Sequence, residues 1–313
     1  MQFYVRKIAL SNFRNYSDVR IETDERSVVI IGANGAGKTN ILEAISLLTP
    51  GKGLRRAAIS ELDNLSNNNV WAIASEINGR DGISNVSTGR IEDKDAISDK
   101  RIVKIDGKIP KTQTELGKIF SVLWLTPQMD NLFLEGNTER RKFIDRLVFS
   151  FNPQHATKVN AYDNAMRQRN HILQERQYDT VWLDALEQKM AEFAVLIASA
   201  RNQTIELLNN EMESEFFPKA EISLIGEVEN NLKHNSTEDS EIYFRKILAE
   251  NRMRDKEAGR TLIGIHRTKI EVVHLEKNRQ AELCSTGEQK AILISIILAQ
   301  ARAGKNHHGH IPV

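Results

Sequence analysis

Polar and apolar residues alternate with a period of two over the first part of the chain and switch to helical spacing beyond its middle. Val5 to Leu10 reads as a strand. Val19 to Glu22 can pair back on it across the turn-rich Ser11-Asn12-Phe13-Arg14-Asn15-Tyr16. Between Val70 and Ile109 the runs Val70 to Ala74, Ser87 to Ile91 and Arg101 to Ile105 alternate again. They are punctuated by Asn78-Gly79, Asp81-Gly82 and Asp106-Gly107, so they predict an antiparallel sheet. Asp93 to Lys100 reads as a charged loop. The continuous apolar runs Val28 to Ile31 and Phe120 to Leu125 predict buried strands.

From Pro153 to Phe217 glycine is absent and apolar residues recur at helical spacing. Val159, Tyr162, Met166 and Ile172-Leu173 form one stripe. Val181-Trp182, Leu186, Met190, Phe193, Ile197, Ile205, Leu208 and Met212 form another, with a break near Arg176 to Thr180. The pattern predicts a helical hairpin whose Met and aromatic positions are core, with Arg167, Arg169 and Arg176 on its solvated side. Flanking it, Thr138 is a suitable N-cap for a helix carrying Phe143, Ile144, Leu147 and Val148. Glu221 to Leu224 and Ile270 to Leu275 read as strands and Ser240 to Asn251 as a helix.

Gly32-Ala33-Asn34-Gly35-Ala36-Gly37-Lys38-Thr39-Asn40 lies between the apolar run ending at Ile31 and the helical stretch Ile41-Leu42-Glu43-Ala44-Ile45. The spacing is that of a phosphate-binding loop, in the strand, turn and helix context that the motif requires. Gly35 and Gly37 let successive N–H groups face one anion, and the helix adds its positive end. Lys38 reaches the β- and γ-phosphates and Thr39 can ligate Mg²⁺. Arg14 is a turn arginine, either solvated or turned toward the nucleotide. Lys52-Gly53-Leu54-Arg55-Arg56 reads as an exposed basic connector, with a phosphate-backbone contact as the alternative. Ser285-Thr286-Gly287-Glu288 precedes a helix-length apolar run. It is an ordinary N-cap sequence and also a second anion-ready helix start.

Composition narrows the setting. The 313 residues are 40% apolar and 27% charged with a formal net charge of +1, so a nucleic-acid site would be a local patch. One cysteine, Cys284, rules out an intrachain disulfide and fits a reducing compartment. No apolar run approaches the roughly 18 residues of a membrane span. A cytoplasmic protein without a membrane partner is the expectation. His266 has no companions at metal-ligand spacing and reads as a hydrogen-bonding structural residue, and His307, His308 and His310 as a plain loop.

Taken in order, these stretches resemble the RecF family of SMC-like ABC ATPases. The matching residues are Leu10 to Tyr16, Gly32 to Ala44, Pro127-Gln128-Met129-Asp130, Arg140 to Asp145, His266-Arg267 and Ser285 to Lys290. The resemblance implies an α/β fold: an ABC/SMC-type P-loop ATPase head with an antiparallel β layer and a helical-hairpin subdomain. The ATPase lobe would span 1–127 and 260–313 and the helical subdomain 128–259. It implies that ATP and Mg²⁺ are held by Gly32 to Asn40, with Arg14 near the nucleotide. Gln128 would stand at the Q-loop position beside the metal and the attacking water, as the catalytic candidate and, with Thr39, a metal ligand. Ser285 and Gly287 would contact the γ-phosphate of a second copy, giving an ATP-dependent homodimer that clamps DNA.

Family members are expected to bind single- and double-stranded DNA, favour gapped junctions, and act with RecO and RecR type partners in recombinational repair and replication-fork maintenance. Two departures stand out. The run Gly264-Ile265-His266-Arg267-Thr268-Lys269 lacks two acidic residues that the family carries. Between Glu288 and Val313 there is no Asp or Glu, although the resemblance implies a strand there with the Mg²⁺-coordinating and catalytic carboxylates. The expectation is a chain that binds ATP and hydrolyses it poorly, either a truncated form or one completed by a partner. The competing readings are a non-hydrolysing nucleotide-gated DNA-binding scaffold and a transporter-type ABC ATPase.

Overall fold

A computed structural model of the chain describes residues 4–66, 69–79, 82–91, 100–175, 179–213 and 215–308. Asp81, most of the Asp93 to Lys100 loop, Arg176, His310 and the side chains of His307 and His308 lie outside the described residues. The backbone falls into two compact units. One holds the chain up to Trp124 and from Gly304 onward, and the other holds Leu125–Ala303.

The first unit is a five-stranded antiparallel sheet in the order β2-β1-β3-β4-β5. Its strands are β1 (Tyr4–Phe13), β2 (Tyr16–Glu22), β3 (Ala72–Gly79), β4 (Gly82–Ile91) and β5 (Lys100–Ile105). The alternation in the sequence sets the register: Ile8, Leu10, Ile73, Ile77 and Val86 all point into one core. Asp106 and Gly107 both take positive φ, 46° and 78°, as a two-residue turn of this hand requires. The helix α1 (Lys38–Ser46) contributes to that core through Ala44, followed by Leu47 and Leu48. A short helix, α2 (Leu116–Ile119), adds Leu116. Phe13 meets Trp71 edge-on with ring centroids 5.8 Å apart.

Arg101 on β5 ties the sheet to the end of α1. Its guanidinium donates to the carbonyls of Gly51 (2.6 Å), Leu47 and Thr49, and its Nε donates to Thr88 Oγ1 at 2.8 Å. A cation at the carbonyl end of a helix complements the helix dipole.

The two continuous apolar runs are not strands. Val28, Val29 and Ile31 are 58, 81 and 86% exposed, and no ladder forms beside them among the described residues. In Phe120 to Leu125 only Phe120 and Leu123 are buried. An apolar run specifies burial propensity but not the neighbour that must supply its hydrogen bonds, and an unpaired extended segment is marginal.

The second unit contains α3 (Asn137–Phe151), the hairpin of α4 (His155–Leu173) and α5 (Thr180–Asn210), then β6 (Ala220–Ile225) and α6 (Glu227–Leu232). It continues with α7 (Thr237–Glu250), α8 (Arg252–Ala258), β7 (Lys269–His274), β8 (Arg279–Gln280) and most of α9 (Thr286–His308). The hairpin stands where the periodicity puts it. Tyr162, Ile172, Leu183, Met190, Ala194 and Ile197 share one core with Phe244 and Leu248 of α7. Asp179 caps α5, accepting from Val181 N–H at 2.8 Å and Trp182 N–H at 3.2 Å, a contribution of about 1 kcal/mol. For α3 the N-cap is Gly136, and the Thr138 hydroxyl instead accepts from Arg141. The strands form a three-stranded sheet, β6-β7-β8.

Arg169 departs from the solvated face expected of it: it is fully buried. It lies seven residues after Tyr162, on the apolar stripe itself. Burial is tolerated because every direction of the guanidinium finds an acceptor. Glu187 takes Nε (2.9 Å), Asp255 and Thr261 take Nη1 (2.7 and 3.0 Å), and the carbonyl of Leu248 takes Nη2 (2.8 Å).

Candidate functional site

The loop Gly32 to Ala36 is exposed and leads into α1. Gly35 and Gly37 take φ of 84° and 96°, the left-handed region that glycine enters without penalty. Gly37 has a second reason to be glycine: a Cβ there would stand 2.6 Å from Tyr16 Oη and 2.7 Å from Asn15 Nδ2. The helix start at Gly37 carries no side-chain cap. The N–H groups of Gly35, Gly37, Lys38 and Thr39 have no acceptor among the described residues. Uncapped N–H groups on a positive helix end are an anion cradle. Lys38 Nζ folds back on the loop, donating to the carbonyls of Gly32 and Ala33 at 2.8 Å each. Thr39 is exposed on the first turn with its hydroxyl unengaged.

The tip of the β1–β2 hairpin braces this loop. Tyr16 donates to the carbonyl of Ala36 (3.3 Å), and Asn40 Nδ2 donates to Asn15 Oδ1 (2.7 Å). Arg14 sits in the left-handed region with φ of 54°. Its guanidinium grips Glu43 of α1 at 2.9 and 2.7 Å and reaches the carbonyl of Glu61 at 2.9 Å. Arg55 joins the same carboxylate at 3.1 Å and the side chain of Asn40 at 2.9 Å. The turn sequence leaves Arg14 either solvated or turned toward the nucleotide and gives no sign of its anchor, Glu43. Glu43, the sixth residue of α1, looks like a solvated helix residue until two arginines from distant segments converge on it.

The remaining candidates lie in the second unit. Gln128 is exposed on a 3₁₀ turn, Pro127–Asn131. Ser285 and Gly287 are exposed at the start of α9. Ser285 and Glu288 form a reciprocal cap: Ser285 N–H donates to Glu288 Oε2 at 2.7 Å, and Glu288 N–H approaches Ser285 Oγ at 3.4 Å. Bonds from Lys277 and Ser285 hold the Glu288 carboxyl well below its usual range, at about 2. The serine hydroxyl is thus tied to Glu288 on the exposed first turn of α9. Lys290 of α9 pairs with Asp130 at 3.1 Å, which fixes the Gln128 turn beside the start of α9.

The residues of the loop fit a nucleotide: donors without acceptors, a lysine ammonium at the loop carbonyls and an exposed hydroxyl. Among the described residues no group of three or more His, Cys, Asp or Glu could hold a metal. Mg²⁺ bound mainly through phosphate and a hydroxyl needs no such group. His266 is a structural histidine whose burial pushes its pKa down.

An uncapped glycine loop after an antiparallel hairpin, and a capped Ser-x-Gly helix start after a helical hairpin, are features of the head fold of the ABC and SMC class. The model of the RecF/RecN/SMC N terminal domain matches residues 4–307. The chain is 42% identical to the DNA replication and repair protein RecF of Rhizobium rhizogenes, over 99% of this chain and 83% of that protein. It is 41% identical to the protein of the same name from Agrobacterium fabrum, over 98% and 82%. The chain belongs to the RecF family.

Its fold is that of a solved RecF structure. The recombination mediator protein RecF with ATP in the RecFOR pathway matches with a TM-score of 0.87 at 23% identity, over 100% of this chain and 84% of that one. The RecF-ATPrS structure also matches at 0.87, with 22% identity. No described helix is long and apolar enough to cross a membrane.

Proposed function

We propose that this chain is an ATP-gated DNA-binding protein of replication and recombinational repair. The observation that carries the reading is the uncapped start of α1, where left-handed Gly35 and Gly37 leave a set of N–H groups without acceptors. Family membership and the names of the relatives support the DNA-repair setting. In this reading the N–H groups of Gly32 to Asn40 bind the phosphates. Lys38 leaves the carbonyls of Gly32 and Ala33 for the β- and γ-phosphates, and Thr39 ligates Mg²⁺. Arg14 acts from behind, holding Glu43 and with it the first turns of α1. ATP supplies a γ-phosphate that a second copy recognises through Ser285 and Gly287. Dimerisation is therefore linked to nucleotide, because a shared ligand stabilises only the closed state. The closed dimer holds single- or double-stranded DNA, gapped junctions included, and RecO and RecR type proteins are the partners.

Gly287 allows a clean test. A Cβ added there meets nothing within 4 Å, so Gly287→Gln should fold. Sedimentation of the wild type should show dimers only with ATP and Mg²⁺, while Gly287→Gln binds ATP and stays monomeric. Equal dimerisation of the two would remove the shared-site reading.

A further inference from the structure

The loop from Gly264 to Thr268 is fastened from several sides. His266 Nε2 is 3.0 Å from the carbonyl of Thr261 and its Nδ1 is 3.0 Å from the Tyr162 hydroxyl. A carbonyl only accepts, so Nε2 carries the proton and Nδ1 accepts from Tyr162. Arg201 donates to the carbonyl of Ile265 (3.1 Å) and Arg141 to that of Thr268 (2.9 Å). The Thr268 hydroxyl is 2.6 Å from Glu229 Oε1, and Arg267 N–H donates to the carbonyl of Gly264 at 2.8 Å. Tyr162, Thr268 and Glu229 are fully buried and Arg201 almost so.

One residue of this loop, Arg267, is exposed. Its side chain has no hydrogen bond or ion pair among the described residues, and no Asp or Glu occurs between Ala258 and Ile270. The carboxylates nearby are already engaged. Asp145 is gripped by Arg201 at two points, 2.8 Å each, and Glu229 takes Thr268 and lies 3.9 Å from Arg201. Asp163 also lies in the field of Arg201, so what sets Arg267 apart is its exposure and the lack of any bonded carboxylate among the described residues.

A surface turn needs no such framework. A guanidinium held on a rigid support loses less entropy on binding, and its planar fork suits a phosphate better than an ammonium does. The net charge of +1 means that any DNA contact must come from local cations such as this one. We infer that Arg267, presented by the fastened Gly264–Thr268 loop, is a contact for a backbone phosphate of bound DNA; this rests on the DNA-binding reading above.

The test uses the full chain with ATP and Mg²⁺, and fluorescein-labelled single- and double-stranded oligonucleotides followed by anisotropy across a salt titration. Arg267→Gln should bind about three- to tenfold more weakly, with the slope of log K against log salt reduced by about one on duplex. Arg267→Lys should keep the wild-type slope while recovering only part of the affinity. Its preserved charge separates a phosphate contact from a folding effect. Wild-type affinity and slope in Arg267→Gln would overturn the assignment and leave the DNA-binding reading standing. So would an unchanged slope with altered self-association in sedimentation, which would point to a second copy of the chain as the partner. Failure of the wild type to bind either DNA, with or without ATP, would remove both.

Discussion

Arg14 and Glu43, 29 residues apart in sequence, are joined by two hydrogen bonds of 2.9 and 2.7 Å that lock the β1–β2 hairpin tip to the helix carrying Lys38. The Glu43 side chain is 2% exposed and that of Arg14 is 20% exposed. Removing one partner of a buried pair leaves the other charge uncompensated, although Arg55 retains one contact. Arg14→Ala should therefore lower stability by about 3 kcal/mol in chemical denaturation and weaken ATP binding in parallel. An ATP affinity untouched by this change would show that the brace has no role at the loop.

Lys38 makes no ion pair among the described residues, only its two bonds to loop carbonyls. Lys38→Ala should abolish ATP binding in calorimetry while shifting stability by no more than about 0.5 kcal/mol, as for an exposed site. Retained binding would contradict the placement of the nucleotide.

Arg169 is the centre of the second unit's charge network, and its partner Glu187 also binds Arg252. Arg169→Ala leaves two buried carboxylates facing an empty position and should cost about 3–5 kcal/mol by urea denaturation. A loss under about 1 kcal/mol would mean that the network is not the clamp its geometry indicates.

Asp145 gives a pH signature. Burial alone would raise its pKa, but Arg201 and His155 overcome that and hold it at about 2, below the ordinary 3.8. A depressed carboxyl stabilises the fold above the unfolded value, and that contribution disappears as pH falls through the folded value. The difference in melting temperature between wild type and Asp145→Asn should be constant above about pH 5 and shrink between about pH 4 and pH 2. A difference independent of pH over that window would show that Asp145 is not the ionised partner of Arg201.

Local chemistry was readable where it is written in short periods. Alternation placed β1 and β3 to β5, helical spacing placed α4 and α5, and glycine spacing placed the loop at Gly32 to Asn40. Contacts between distant segments were not readable. Arg169 looked solvated because its acceptors come from α5, α7, α8 and Thr261. Glu43 looked ordinary because Arg14 and Arg55 reach it from separate turns. Val28 to Ile31 looked like a buried strand because hydrophobicity carries no information about which chain supplies the ladder. Arg267 was visible only as a member of a motif, because its lack of a bonded partner depends on Asp145 and Glu229 being held by Arg201 and Thr268.

If nucleotide at Gly32 to Asn40 controls DNA binding, the two must be linked in solution. The most direct measurement is the equilibrium affinity of the full chain for labelled duplex across salt, with and without ATP and Mg²⁺, beside Lys38→Ala. Tight, steeply salt-dependent binding should appear with ATP and be absent from Lys38→Ala. Equal affinity with and without ATP, or equal binding by Lys38→Ala, would contradict it.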